Sequence, residues 1–423
     1  MRRVFRTFAV PVAVLALADS TGAVERSPRP ALRPPATEAA QETGRMTQGD
    51  FEAWLAAYRA RAPGRGIAPD TLASAFAGVR FDPAIVAKDR NQAEFTKMIW
   101  TYLDTAVSEA RVAAGRRAVT ANRALLDRIE ADYAVPAEIV AAIWGLESAY
   151  GAVRGDTYTI GALATLAYDE RRGPFFAHQL EVALKILQAG EVTPERMTGS
   201  WAGAMGHTQF LPTSYIVHAV DYDGDGRCDI WGDDPADALA STAAFLKSAG
   251  WVAGQPWGLE VTLPEGFDHA LAGHPTKKLP TEWAALGVTD TAGNAVPDHG
   301  PASVILPGGW EGAAFMIFDN FAALERYNPA DAYVIAVGHL ADRIAGGETI
   351  RHGWPRRHQA PVLAERIEIQ QRLTESGFTT QGVDGRIGPD TIDAIRAWQK
   401  ARGEIPDGFA TLELLDMLRV DGP

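Results

Sequence analysis

A mainly α (α+β) chain is predicted, with a helical core that is interrupted by a small β-containing insertion and followed by a compact helical unit. Three observations predict it. Helical spacing dominates from Thr47 to about Ala249, and between about Trp257 and Gly309 Pro and Gly break the chain into short segments such as Leu259–Leu263 and Ala302–Leu306. Helical spacing then returns at Phe318–Tyr327 and Asp331–Ala345, and again after Leu363. The first helix places Phe51, Trp54, Leu55 and Tyr58 on one face, and Ala-rich amphipathic runs follow at Leu125–Asp132, Pro136–Tyr150 and Phe175–Ala189. A polar, basic stretch at Arg351–His358 leads into the last unit. The length of 423 residues suits two to three domains of about 150 residues each.

Composition narrows the function. Hydrophobic residues at 47% and charged residues at 22% suit a chain that buries a core. Lys+Arg 40 against Asp+Glu 53 leaves a net charge of −13, the wrong sign for gripping nucleic acid phosphates through bulk charge, so no nucleic acid partner is expected. With Cys228 alone there is neither an intrachain disulfide nor a cysteine-based zinc site. Arg2, Arg3 and Arg6 precede an apolar run from Phe8 to Ala18 and a small-residue segment ending at Ala23, the pattern of a secretory signal peptide over 1–23. Residues 24–46, rich in Pro and Ala, read as a disordered linker. The apolar run is shorter than the roughly 20 residues a membrane span needs, and no cysteine follows it to take a lipid. The expected product is an exported, soluble, periplasmic protein with no membrane anchor.

Within Pro136–Gly151 a proline opens a helix and a glycine stops it. Glu147 sits near its C-terminal end, and the positions three, four and seven residues earlier are Trp144, Ile143 and Val140. An apolar stripe and the negative end of the helix both disfavour an ionised carboxylate, which suits a general acid near neutral pH. A partly exposed glutamate at a helix end is the plainer reading of the same pattern.

Asp221-Tyr222-Asp223-Gly224-Asp225-Gly226-Arg227-Cys228-Asp229 places oxygens at positions 1, 3, 5 and 9, glycine at 6 and the Arg227 carbonyl at 7, as in an EF-hand loop. Three carboxylates so close repel one another without a cation, which argues for a structural Ca2+ over an empty polar turn; no cofactor is expected for the chemistry. Position 12 is Gly232, so the last ligand must come later. Cys228, at an inward position, is expected as a buried thiol and not as a nucleophile.

Ile143-Trp144-Gly145-Leu146-Glu147-Ser148-Ala149-Tyr150-Gly151 resembles the catalytic-glutamate signature of the lytic murein transglycosylase B family. Arg171-Arg172-Gly173-Pro174-Phe175-Phe176, the run from Ser200 to Tyr215, the Asp/Gly loop, and Tyr327-Asn328 with Tyr333 follow in the family's order. The resemblance covers about Thr47 to Gly347 and implies a lysozyme-like catalytic domain over 47–350. It implies cleavage of the β-1,4 bond between N-acetylmuramic acid and N-acetylglucosamine in peptidoglycan, with Glu147 as sole acid and base and 1,6-anhydromuramoyl ends as product. It implies substrate contacts from Ser200, Gln209, Tyr327, Asn328 and Tyr333, and from Arg171 and Arg172 through carboxylates of the substrate, surface charge being the plainer reading of the two arginines; Tyr102 offers a sugar-stacking ring, with a core aromatic as its plainer reading. It also favours Asp237 as the last calcium ligand, ahead of Asp233 or Asp234. The sequence departs from the family pattern at His207-Thr208, where an aromatic-Gly pair is commoner, and at Ala330, where serine is. Peptidoglycan glycan strands are the expected partner, and wall-synthesis proteins are the protein partners to look for.

From Ile367 onward, Asp384-Gly385, Pro389, Trp398-Gln399 and Pro406-Asp407-Gly408 stand in an order that resembles the small three-helix peptidoglycan-binding domain, placed at 363–419. Ile369, Leu373, Ile392, Ile395, Trp398 and Leu414 supply its core. Such a unit would raise the local concentration of substrate. The competing functions are a hydrolytic muramidase and a catalytically idle wall-binding scaffold. Retention of Glu147 and of the Ser200–Gln209 run speaks against the scaffold.

Overall fold

The computed structural model describes residues 47–90, 97–169 and 171–421. The expected signal peptide and linker lie outside the described residues. Thr47 caps the first helix, α1 (Gln48–Arg61), by accepting from the Asp50 amide, and the predicted face buries Phe51, Leu55 and Tyr58 with Trp54 half-buried. Then come α2 (Pro69–Ala75), α3 (Pro83–Arg90), α4 (Ile99–Ala106), α5 (Glu109–Ala121) and α6 (Arg123–Tyr133). The helix α7 (Ala137–Ser148) follows, with Pro136 at its N-cap and not inside its first turn.

From Ile139 to Ser148 every residue of α7 is buried. A helix apolar on all sides belongs at the centre of a domain, and α7 packs against α5 and α6 and two later helices, α11 (Ala236–Ser248) and α14 (Asp331–Ile344). Between α7 and α11 lie β1 (Thr157–Tyr158), α8 (Thr159–Tyr168), α9 (Gly173–Ala189), β2 (Thr198–Gly199) and α10 (Pro212–His218), with β1 and β2 paired antiparallel.

The insertion is a four-stranded antiparallel sheet, β3 (Gly258–Thr262), β4 (Thr289–Asp290), β5 (Ser303–Ile305) and β6 (Ala314–Ile317), in the order β4-β3-β6-β5, with one short helix, α12 (Pro280–Ala285). It runs past the expected end at Gly309, because β6 is its central strand: Met316 faces both Leu259 and Val304. The sheet has a core of its own around Trp283, Val304 and Met316. The chain returns to the main core through α13 (Asp319–Tyr327) and α14.

The C-terminal unit is α15 (Leu363–Glu375), α16 (Pro389–Arg402) and α17 (Leu412–Asp421) around Ile369, Leu373, Ile395, Trp398 and Leu414, with Ile392 half-buried at the edge. One device recurs in it. Buried Gln370 donates to Asp384 and accepts from the Gly385 amide, and buried Gln399 donates to Asp407 and accepts from the Gly408 amide. Each Asp-Gly turn is thus clamped by a glutamine whose amide group is satisfied on both sides.

The stretch before this unit is fixed to the catalytic side. Arg356 grips Asp104 with two bonds of 2.7 and 2.8 Å, Arg357 pairs with Glu311, and Trp354 lies 6.3 Å from Trp100. His358 bonds Glu413 of α17 at 3.0 Å, and the Trp310 amide donates to Asp407 at 3.1 Å. The two units are docked, not merely tethered.

Candidate active site

Glu147 is 0% exposed, one residue before the end of α7. The helix stops not at the glycine but at Ala149, and Ala149, Tyr150 and Gly151 take left-handed φ of 51°, 60° and 84° in succession. Left-handed backbone at non-glycine residues is costly and persists where packing enforces it. Here Tyr150 folds back across Gly145, where a Cβ would approach its ring to 2.5 Å, and its hydroxyl donates to the Arg111 carbonyl at 3.0 Å. That turn, together with Ser148, whose hydroxyl donates to the His207 carbonyl at 2.5 Å, fixes the end of the helix that carries the acid.

Across from it, α14 delivers Tyr333, whose hydroxyl donates to Oε1 of Glu147 at 2.6 Å. Tyr327, at the end of α13, is also buried and donates to the Thr208 carbonyl at 2.5 Å. Burial, and then the neighbouring Glu147 charge, push both tyrosine hydroxyls well above their ordinary range, so each stays a neutral donor. Tyr102 is half-buried and near enough to Tyr333 to act on it electrostatically.

Gln209 is buried in a left-handed conformation, φ 55°, next to Thr208. Its Nε2 donates to the carbonyls of Arg154 and Gly206, which aims Oε1 the other way, and that oxygen has no partner among the described residues. A buried acceptor left open in this way suits a donor brought by a ligand. Ser200 accepts from the Ala204 amide in the turn before this run. Asn328 accepts from the Ala330 amide, closing the link from α13 to α14.

Arg171 and Arg172, expected as substrate contacts, stand just before and at the N-cap of α9. Both guanidinium groups engage buried Asp89 of α3, Arg171 through Nε and Nη2 and Arg172 at 3.3 Å, and Arg172 also lies over the Phe176 ring. Their place is a clamp between α3 and the start of α9. Sequence reading also missed His207. Its Nδ1 accepts from the Trp144 indole at 3.1 Å, so its proton is on Nε2, which donates to the Gly232 carbonyl at 2.8 Å. Burial holds this imidazole below its usual range and therefore neutral. No local pattern marks it, because both partners are distant in sequence.

In the Asp/Gly loop the carboxylates of Asp221, Asp223 and Asp225 lie within 4.8 Å of one another. Asp221 accepts from the Gly224 and Gly226 amides, and Asp223 and Asp225 accept from the amides two residues on, so side-chain oxygens converge on one point. With the Arg227 carbonyl this donor set fits a hard cation. Asp237 stands outside that cluster: buried, it accepts from the amides of Tyr222, Asp223 and Asp229 and so ties the loop to α11. Asp233 pairs with Arg154, and Asp234 accepts from the Ala236 amide. Cys228 is half-buried, its thiol pushed up to about 11 by burial, which keeps it protonated and unreactive.

A helical core with a buried acid near the end of its central helix, and a neutral tyrosine hydroxyl on that acid, is a lysozyme-like enzyme fold. Residues 50–342 match the model of the Transglycosylase SLT domain, and 363–418 that of a peptidoglycan binding domain. Membrane-bound lytic murein transglycosylase B of Escherichia coli (strain K12) is 35% identical over 227 residues, 52% of this chain and 60% of that protein. The chain thus spans less than two thirds of this relative's length. The crystal structure of SltB3 from Pseudomonas aeruginosa in complex with NAG-anhNAM-pentapeptide is 48% identical with a TM-score of 0.84, over 87% of this chain and 99% of that one. The structure of Escherichia coli lytic transglycosylase Slt35 in complex with calcium is 29% identical with a TM-score of 0.59, over 69% and 92%. The chain belongs to the lytic transglycosylase family defined by the Transglycosylase SLT domain.

Proposed function

We propose that the protein cleaves the β-1,4 bond between N-acetylmuramic acid and N-acetylglucosamine in peptidoglycan, leaving 1,6-anhydromuramoyl ends, with Glu147 as its one acid and base. The observation that carries this reading is the bond from Tyr333 to Oε1 of Glu147, both side chains being buried. Oε1 is the acceptor of that bond, so an acid proton sits on Oε2, from which it passes to the leaving oxygen as the bond to the muramoyl anomeric carbon breaks. The carboxylate then takes the proton of the muramoyl C6 hydroxyl as that oxygen closes on the same carbon, and no water is consumed. A hydrolase of two carboxylates needs a second acid across the sugar. Three other carboxylates are buried among the described residues of this core: Asp89, held by two arginines, Asp237, held by loop amides, and Asp169, at the C-cap of α8.

The same reading makes the Asp221–Asp225 loop a structural Ca2+ site and the C-terminal unit a wall-binding domain, in a protein exported to the periplasm. The test is mass spectrometry of the soluble products that wild type and Glu147→Gln release from purified peptidoglycan. Anhydromuramoyl products from wild type alone are expected. Reducing muramoyl ends would make the protein a hydrolase, and no product from either would make it a scaffold.

A further inference from the structure

A cavity of about 250 Å³ lies where the β insertion meets the C-terminal unit. Its sides come from the turn Gly308–Glu311 after β5 and from the segment linking α16 to α17. The seam is specifically built. A Cβ on Gly309 would come within 2.9 Å of Asp407 and Phe409, so glycine lets the two backbones meet, and the Trp310 amide closes the contact on Asp407.

The chemistry of the walls is selective. Trp310 at 48%, Ile405 at 36% and Met417 at 38% are three of the thirteen large apolar side chains exposed among the described residues, and all three line this cavity. Such concentration of exposed apolar surface in a pocket between domains marks a binding site. The polar lining is already used: Gln399 and Asp407 hold each other, and Thr411 accepts from the Leu414 amide. Sugar hydroxyls would find few open partners here. Arg357 and His358 are engaged by Glu311 and Glu413, whereas the Glu404 amide donates to the Gln399 carbonyl and its exposed carboxylate has no hydrogen-bond or ion-pair partner among the described residues. The cavity therefore offers an apolar trough with an unneutralised carboxylate.

We propose that this cavity binds the stem peptide of peptidoglycan, laying the aliphatic side chain of the diamino acid on Trp310, Ile405 and Met417 and its ammonium group on Glu404. The assignment rests on the wall-cleaving reading above and names a peptide contact for it, separate from the acid in α7.

Isothermal titration of the full-length protein tests it, with the synthetic tripeptide L-Ala-γ-D-Glu-meso-diaminopimelate, the same peptide acetylated on its side-chain amine, and chitotetraose as the probes. The free-amine peptide is expected to bind. Acetylation or Glu404→Gln should weaken it about fivefold, the worth of one exposed ion pair, and Trp310→Ala about tenfold or more. Ile405→Lys, on the exposed wall, should abolish binding while leaving the melting temperature unchanged, which guards against a misfolded variant. Absence of peptide binding, binding indifferent to acetylation and Glu404→Gln, or chitotetraose competing for the same site would overturn the proposal. If wild type still releases anhydromuramoyl products, such a result removes the cavity assignment alone; if it releases none, the functional reading goes with it.

Discussion

The indole N–H of Trp144 donates to Nδ1 of His207 at 3.1 Å, and the other nitrogen of the same ring reaches the Gly232 carbonyl at 2.8 Å. One neutral imidazole thereby links the acid-bearing helix, three residues before Glu147, to the segment that follows the Asp/Gly loop. The ring fills space beside Trp144, at 5.8 Å between centroids, and adds two directed bonds.

Replacing His207 by Phe keeps that bulk and removes both bonds. Two buried neutral hydrogen bonds amount to about 2 kcal/mol, and stability should fall by roughly that amount in urea denaturation. Turnover of peptidoglycan should fall with it, because Trp144 shares the face of α7 that positions the acid. Unchanged stability would mean that the ring only fills space.

Tyr333→Phe removes a donor to Glu147 without opening a cavity. Hydrogen bonds to charged groups contribute about 1.5–3 kcal/mol, so kcat should drop about tenfold to a hundredfold. Losing a donor also disfavours the ionised carboxylate, so the alkaline limb of the pH–rate profile should move to higher pH. A profile that falls uniformly without moving would assign Tyr333 to packing.

Chelation should lower the melting temperature and added Ca2+ restore it, since a ligand that binds the folded state at a hundred times its Kd stabilises by about 2.7 kcal/mol. Asp223→Asn with Asp225→Asn should lose the calcium-dependent part of that stability. An unmoved transition in wild type would leave the loop a hydrogen-bonded turn with no ion.

Half-buried His339 on α14 is held down to about 4 by burial, below its unfolded value near 6.5. The unfolded chain takes up a proton there before the folded one does, so stability is full above about pH 6.5 and is lost as pH falls toward 4. His339→Gln should flatten this part of the profile of unfolding free energy against pH relative to wild type. Parallel profiles would show that the ring ionises as freely in the fold as outside it.

The acid was legible in the sequence because its signals are local: a proline start, an apolar stripe and a turn within sixteen residues of chain. Tyr333, 186 residues away, carries no such signal and was reached only through the ordered motifs of the family. The pairing of Arg171 and Arg172 with Asp89 was not legible, because Asp89 lies 82 and 83 residues earlier, where charge complementarity cannot be read along the chain. Strand β6 escaped because Ala314–Ile317 is buried on both faces, and a short unbroken apolar run has no alternation to betray its period. The contacts of Asp237 carry no signal for a related reason: its partners are backbone amides, which no sequence marks.

The stretch ahead of α15 is held by Arg356 on Asp104 and by Trp354 beside Trp100, which takes away the freedom that a linker gives. A module on a flexible tether searches a sphere whose radius grows with tether length. One clamped to its neighbour presents its surface at a single offset and angle, so under the function proposed above grip and cut would occur at a fixed spacing along the polymer, as with a workpiece held in a jig.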